Sequence, residues 1–491
     1  MLIGIDIGLT MIKVAVFSLG GKKIALEEKR SSIVYSEDGF VEKDMEELWK
    51  ALSSLIKETL YKHDISVTEI KGIGLSAYGD GVITLDKDKN IIGLGITSID
   101  TRSKHTWGSL LSKSQHQELF KIIRQKPFLG TPLPILHWIY THDKQRWEKT
   151  EFVIFAKDYI RYKLTGEIFL EITDASAGLI NLNTRTRDLS IEETLSINHL
   201  TEKIPDVVTS DQVVGEVNKE AETDTGFKEG TPVVAGLHDV ASTVIGSGCI
   251  NHSDTLIILG TWGITVMSSN SPQDHAEGDW MLRCLPKNNR WLMLQASPSA
   301  GSNIDWFVKT LKQINTDNNN IHKVLNTLIK DTLPGAKGLR YLPYLHGQKF
   351  SNQTLNALFY GITFEHELKH FYRAILEGIL VDRIKVLAQF EKSIDSSPSM
   401  LTIQGGGSKN NTWMQMFADA TNKTIRVLQS SQAGVRGAAI LAGVGVGLFN
   451  SIGEGVEIIK DKEIFYNPNI QNFEEYKEIQ ESYQELINSL V

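Results

Sequence analysis

The sequence predicts an α/β chain built from two related domains, and three observations predict it. Met1 to Phe17, MLIGIDIGLTMIKVAVF, sets an apolar run (Leu2, Ile3, Ile5, Ile7) and a β-branched run (Ile12–Phe17) around a turn at Gly8, Leu9 and Thr10, which reads as a β-hairpin. Thr255 to Ser268, TLIILGTWGITVMS, repeats the pattern as strand, glycine turn with a threonine (Gly260, Thr261, Gly263) and strand. The length of 491 residues implies more than one domain.

Two readings of the first turn stand side by side. A carboxylate leaving a buried strand, as Asp6 does, is costly unless hydrogen bonds, a cation or water compensate it. Gly8 lets backbone approach a ligand closely, and Thr10 with neighbouring N–H groups suits phosphate oxygens. Alternatively the stretch is an Asx-type turn that only closes the hairpin. The echo half a chain later favours phosphate binding, with two domains facing one nucleotide.

A formal net charge of −8 and a pI near 5.9 argue against a nucleic-acid partner, but not against ATP, which local donors and a metal ion hold on an acidic protein. Cys249 and Cys284 are the two cysteines, too few for a disulfide framework or a cysteine-rich zinc site. The N-terminus lacks a basic region and Asp6 interrupts its apolar run, unlike a signal peptide. No apolar stretch of about 18–20 residues occurs. A soluble, cytoplasmic protein without a membrane partner is expected.

In chain order, Met45–Tyr61 has helical spacing, Ile70–Ser76 reads as a buried strand, and Val82–Asp86 and Ile91–Ile96 as further strands. The first of these ends in Tyr78-Gly79-Asp80-Gly81, where Asp80 is either part of a plain turn or a ligand contact. After Ile96 come Asp100 and Arg102, either a solvated surface pair or a pair at a sheet edge orienting the hydroxyls of a polyhydroxy ligand. Leu110–Ile123 reads as an exposed helix, Leu133–Thr141 as a helix start, Trp147–Glu151 as a charged connection, and Phe152–Leu164 as apolar at its start and helical after it. Asp174 is expected to cap a helix over Ala175–Leu179. Asp239 sits where the strand Thr231–Gly236 gives way to a helix of small residues, as an N-cap or as a general base at the carboxyl edge of a sheet.

Gly248–Ser253 is the expected boundary, giving domains 1–250 and 251–491. Beyond the second hairpin follow a strand at Trp291–Ala296, a helix from about Asp305, the polar loop Gln313–Asn320, and an amphipathic core helix at Phe371–Phe390. Leu401–Gln404 runs into Gly405-Gly406-Gly407-Ser408-Lys409-Asn410 before a helix from Thr412. Three glycines between strand and helix suit backbone lying flat against a purine and ribose, or form a loop alone. Helices at Ala433–Gly447 and around Phe473–Leu486 close the chain.

Assembled in this order, Asp6-Ile7-Gly8-Leu9-Thr10, Gly236-Leu237-His238-Asp239, Leu259-Gly260-Thr261-Trp262-Gly263 and Gly405 to Asn410 with Trp413, Met416 and Ala418-Asp419 resemble the FGGY family of carbohydrate kinases over essentially the whole chain. Tyr78 to Gly81 and Asp100 to Arg102 look most like its xylulose, L-xylulose/3-keto-L-gulonate and erythritol branches. Departures are Leu9 for a small or hydroxyl residue, Gln432 for a frequent glutamate, and Tyr78 for a frequent glutamine. The resemblance implies two ribonuclease-H-like, actin-like domains closing over a cleft. It implies ATP-dependent phosphorylation of a primary hydroxyl of a small sugar such as a ketopentose, with a polyol or 3-keto-L-gulonate as alternatives. An inactive actin-like sugar- or nucleotide-binding protein is the non-enzyme alternative. By the same similarity Asp239 is the base, Asp6 holds water-coordinated Mg²⁺, and Thr10, Gly260 and Thr261 hold phosphates beside Gly8. Gly301, Gly405, Gly406 and Asn410 line the nucleotide pocket, and Gly79, Asp80, Arg102 and His238 lie near the sugar. Dimers are common among such kinases.

Overall fold

In the computed structural model, which describes all residues but 37–38, 274–279, 287–289, 314–320, 348–354, 431 and 491, the first half of the chain builds a seven-stranded sheet. Its strands are β1 (Leu2–Ile7), β2 (Met11–Phe17), β3 (Lys23–Arg30), β4 (Gly72–Ala77), β5 (Val213–Glu216), β6 (Pro232–Val234) and β7 (Leu237–His238). They lie in the order β5-β6-β4-β1-β2-β3, with β7 also paired to β4. The second half builds another seven-stranded sheet from β8 (Thr255–Leu259), β9 (Gly263–Ser269), β10 (Met281–Cys284), β11 (Trp291–Ser297), β12 (Met400–Gln404), β13 (Thr424–Leu428) and β14 (Glu463–Tyr466), ordered β10-β11-β9-β8-β12-β13-β14.

The two hairpins occupy equivalent places. β1 pairs antiparallel with β2 and parallel with β4, as β8 does with β9 and β12. Alternation then assigns the faces of the first sheet. Ile3, Ile5 and Ile7 of β1, with Ile73, Leu75 and Ala77 of β4, share a core with α1 (Met45–Lys62) and α2 (Ala156–Thr165). The opposite face carries Gly4 and Asp6 beside Gly74 and Ser76. Against it lies α7 (Ala433–Gly445), a helix from the far end of the chain that also packs on α3 (Asp239–Gly246). The second half adds α4 (Gly301–Lys312), α5 (Leu368–Ile394) and α6 (Asn411–Thr421).

Glycine permits this packing. A Cβ on Gly4 would overlap the carbonyl oxygen of Val435, and one on Gly74 that of Ala438. Between the helices, Gly437 rests on the Ser242 carbonyl and Gly246 on that of Ala433. Backbone thus meets backbone, and one helix of the second half completes the core of the first sheet.

Several expectations are corrected. Ile91–Ile96 forms the short strand Gly95–Ile96 and isolated bridges from Ile91 to Leu85 and from Ile96 to Val82, not a continuous strand. Trp147–Glu151 is largely the helix Lys144–Lys149, whereas Phe152–Leu164 runs as expected, from the strand Phe152–Ile154 into α2. The helix Lys113–Ile123 starts from a capping box at Ser112 and buries Leu119 and Ile123, so it is not simply exposed. Asp174 is not a cap: Glu171 caps the short helix Ile172–Ala175, and Asp174 turns into a buried ion pair with Lys157. Most of the loop expected at Gln313–Asn320 lies outside the described residues. Among the described residues, no helix is long and apolar enough to cross a membrane.

The backbone contact at Gly74 is testable. Gly74→Ala is expected to destabilise the protein by about 1–3 kcal/mol or more, because neither sheet nor helix backbone yields easily. Gly406→Ala, with nothing within 4 Å of its Cβ position, should stay within about 0.5 kcal/mol of the parent. Thermal unfolding of both variants checks this, and equal midpoints would remove the glycine contact from its structural role.

Candidate functional site

Three parallel strands of the first sheet end side by side. Asp6 of β1 stands beside Ser76 of β4, and Leu237 and His238 of β7 beside Ser76 and Ala77. The Ser76 hydroxyl donates to Oδ1 of Asp6 at 3.0 Å. From the other side comes α7, where a Cβ on Gly434 would sit 2.5 Å from Oδ2 of Asp6. Burial, and after it the charge of Asp239, push the Asp6 carboxyl up to about 6, against Lys13 and the Ser76 hydroxyl.

The following turn is tight. The Gly8 N–H donates to the Met11 carbonyl at 2.8 Å, and a Cβ on Gly8 would crowd that oxygen at 2.9 Å. Thr10 is exposed at the tip. Sequence reading overlooked Lys43, a buried amine that donates to the carbonyls of Leu9 at 2.7 Å and Ser32 at 3.0 Å and so pins the turn from below. Burial lowers this amine to about 8.

Asp239 is the first residue of α3, with His238 in the capping position. Its side chain is 39% exposed and its Oδ1 accepts from the Val240 N–H at 2.7 Å. Nδ1 of His238 lies 3.0 Å from the same carboxylate. Burial opposes protonation of His238, but Asp239, joined by Asp174 and Asp80, holds the imidazole up at about 9. With Nδ1 protonated the ring donates to Asp239, and the Val240 amide serves the carboxylate too. The ring lies on Gly79, where any Cβ would overlap Cδ2 and Nε2. Behind it, the His238 N–H donates to Oγ1 of Thr173 at 2.8 Å.

Gly79, Asp80, His238 and Asp239 line a cavity of about 1970 Å³ together with Leu9 and Tyr78, and with Trp262, Ile264 and Arg283 from the second half. Arg102 is not on that wall. Its Nε and Nη2 donate to Asp100 at 2.9 Å each, Nη2 donates to Glu42 at 2.7 Å, and its guanidinium lies 4.2 Å from the Phe40 ring centre. Asp100 also accepts from the Val41 N–H at 2.7 Å. The pair is buried rather than solvated, and it fastens the segment around residue 41.

The second glycine turn is built around the end of β8. The Gly301 N–H donates to the Gly260 carbonyl at 2.9 Å, and Ser302 to that of Thr261 at 3.1 Å, which sets the start of α4 against the turn. Gly405, at φ +95°, brings the triple-glycine loop onto Leu259, where a Cβ would lie 2.5 Å from the carbonyl oxygen. Gly406 faces open space. Asn410 is engaged: Oδ1 accepts from Trp413 N–H at 3.1 Å as the cap of α6, and Nδ2 donates to Asn326 at 2.9 Å. Arg383 of α5 supports the turn, donating to the Gly263 carbonyl at 3.1 Å.

The structure thus gathers Asp6, Gly8 and Asp239 at one sheet edge, Gly79, Asp80 and His238 on the adjoining wall, and Gly260, Thr261, Gly301 and Gly405 at the equivalent edge of the other sheet. Sequence reading missed Ser76, Lys43, Gly434, Arg383 and Arg283. An arginine inside the apolar strand Met281–Cys284 is itself a signal, since a buried guanidinium needs a partner.

Comparison with known proteins gives one consistent picture. The model for the N-terminal domain of the FGGY family of carbohydrate kinases matches residues 1–246, and that for its C-terminal domain residues 255–446. A probable L-xylulose kinase of Pasteurella multocida is 29% identical over 490 residues, covering 99% of this chain and 98% of that protein. The L-xylulose/3-keto-L-gulonate kinase of Escherichia coli is 28% identical, covering 99% and 97%. A ligand-bound xylulose kinase structure from Lactobacillus acidophilus superposes with a TM-score of 0.91 at 22% identity, over 99% of this chain and 98% of the other; it is alike in fold.

The His238–Asp239 contact has a signed pH consequence. A raised histidine pKa contributes stability that is fully present below its unfolded value of about 6.5 and is lost as pH rises through about 9. Unfolding midpoints of the parent should therefore fall between those pH values more steeply than those of His238→Gln. Parallel curves would disprove the coupling.

Proposed function

The chain belongs to the FGGY family of carbohydrate kinases, and from that premise we propose that it transfers the γ-phosphoryl group of ATP to a primary hydroxyl of a small ketose, a ketopentose such as xylulose or L-xylulose. The observation that carries this reading is the half-exposed Asp239 carboxylate at a helix start on the cavity wall, flanked by the imidazole of His238. The substrate names of the Pasteurella and Escherichia relatives support the ketose.

Phosphoryl transfer is largely loose in character, so positioning and charge neutralisation dominate. Asp239 orients the acceptor hydroxyl and takes its proton late. His238, held flat on Gly79, keeps the carboxylate in place and presents a cationic edge to the sugar. Thr10 and Thr261, on the two exposed glycine turns, donate to the phosphates with neighbouring N–H groups.

Asp6 suits a hydrated Mg²⁺. Its half-buried carboxyl stands in the field of Asp239 with one neutral hydroxyl as hydrogen-bond partner, and a cation would relieve that repulsion. When bound with the nucleotide, the ion neutralises phosphate charge. Gly406 leaves backbone bare for the purine and ribose, and Gly405 lets the loop lie close on Leu259. Closure of the two halves would exclude water and suppress ATP hydrolysis without sugar.

ADP release from Mg·ATP, measured across ketopentoses, keto acids, tetritols and glycerol, should single out a ketopentose. Asp239→Asn should lose about 10²–10⁴ in kcat while remaining folded and sugar-binding. Near-normal turnover in that variant would take the base role from Asp239. ATP turnover indifferent to sugar would disprove gating by closure.

A further inference from the structure

A buried arginine joins the cavity wall from the second sheet, and the mechanism above does not use it. Arg283 is 3% exposed and lines the cavity with Asp80, Gln125 and His238. Its Nη2 donates to Oδ1 of Asp80 at 3.2 Å. Nη1 donates to Oε1 of Gln125 and, at 3.4 Å, to the carbonyl of Ser176. Gln125 is fixed in turn, donating from Nε2 to that same carbonyl at 2.8 Å. Among the described residues Nε of Arg283 has no hydrogen-bond partner. A buried guanidinium with an unmet donor is expensive, so Arg283 at the cavity wall is not explained by packing alone.

Asp80 is held to this pair by its own backbone. It adopts φ +59°, next to Gly81 at +74°, so the turn that follows β4 presents its carboxylate to the second sheet. The contact spans the two halves of the chain across the cavity wall. A ligand there meets a fixed donor and a fixed anionic acceptor side by side.

Building on the kinase reading, we propose that the Asp80–Arg283 pair selects uncharged polyhydroxy sugars over sugar acids. A hydroxyl both accepts and donates, so one sugar oxygen at the Arg283–Asp80 contact accepts from the guanidinium and returns a proton to Asp80. A carboxylate only accepts. It would gain from the guanidinium but stand beside the like charge of Asp80, with Asp174 as a second carboxylate acting on the same arginine. Without the Asp80 charge the guanidinium keeps its positive charge at the cavity wall with no anion directly beside it, which favours a carboxylate ligand. Asp80 is thus the rejecting element, and Arg283 a specificity-determining residue.

The test compares a neutral ketopentose with a five-carbon aldonate on the full-length protein, by steady-state kinetics and by calorimetric binding of each sugar without nucleotide. Asp80→Asn keeps the size and tolerates positive φ. It should shift the ratio of kcat/KM from neutral sugar toward acid by at least about tenfold, through the sugar KM, with the ATP KM unchanged. Arg283→Gln should weaken neutral-sugar binding without any gain for the acid, and the double variant should lose the gain seen with Asp80→Asn. An unchanged ratio in Asp80→Asn, a parent that prefers the acid, or unaltered neutral-sugar affinity in Arg283→Gln would each overturn the proposal. If Asp80→Asn fails to fold, the Arg283→Gln binding result decides alone. Selective binding that switches as described, in a parent that turns over neither sugar, would overturn the kinase reading and leave the pair's role standing.

Discussion

The separation between α7 and the first sheet governs the site. Helices normally ride on sheets at side-chain distance, but here Gly4 and Gly74 let the carbonyls of Val435 and Ala438 touch the strands. At that separation the start of α7 reaches Asp6, so a residue near position 434 becomes a wall of a site that begins at position 6. The same logic holds α3 to α7 through Gly246 and Gly437, which places Asp239 close enough for its charge to act on Asp6. Two helices from opposite halves of the chain thus meet by backbone contact, and the two sheet edges turn toward one cavity.

Around that contact, charge is arranged in layers. Asp239 and Asp6 would repel each other if left alone, and His238 supplies the compensating cation. Behind His238 lies a buried cluster in which Lys157 meets Asp174 at 2.8 Å and Asp158 at 2.9 Å, while Arg161 meets Asp158 at 2.8 Å. Arg161 also donates to the Ala235 carbonyl at 2.9 Å, at the break between β6 and β7. Buried ion pairs contribute little net stability compared with apolar packing. Their evident effect here is geometric, because they fasten the bend that delivers His238 and Asp239 to the edge.

Legibility differed by residue for physical reasons. The hairpins were plain because strand periodicity and turn chemistry are local, and Asp6 stood out as a carboxylate in an apolar run. Asp239 was readable from its place between strand and helix. Arg102 was not readable: an aspartate and an arginine two residues apart look the same in sequence whether they are solvated or buried, and packing against Phe40 and Glu42 shows the pair to be buried. Asp174 misled, because a capping preference is local while its partner Lys157 lies on another helix. Lys43, Ser76 and Gly434 carry no motif at all, and each acts through a contact with a residue far away in sequence.

The amino-acid sequence by itself determined the two-fold repeat of strand, glycine turn and strand, the α/β class, the family, and the positions of Asp6, Asp239 and the glycine turns. These are consequences of short-range pattern, set by backbone sterics and hydrophobic alternation. Tertiary structure alone decided which polar side chains meet: that Arg283 crosses to Asp80, that Arg102 is spent on Asp100 and Glu42, and that α7 belongs against the first sheet. Those pairings depend on how elements separate in sequence, by 203 residues for Arg283 and Asp80, come to lie beside each other, and no local preference encodes that distance.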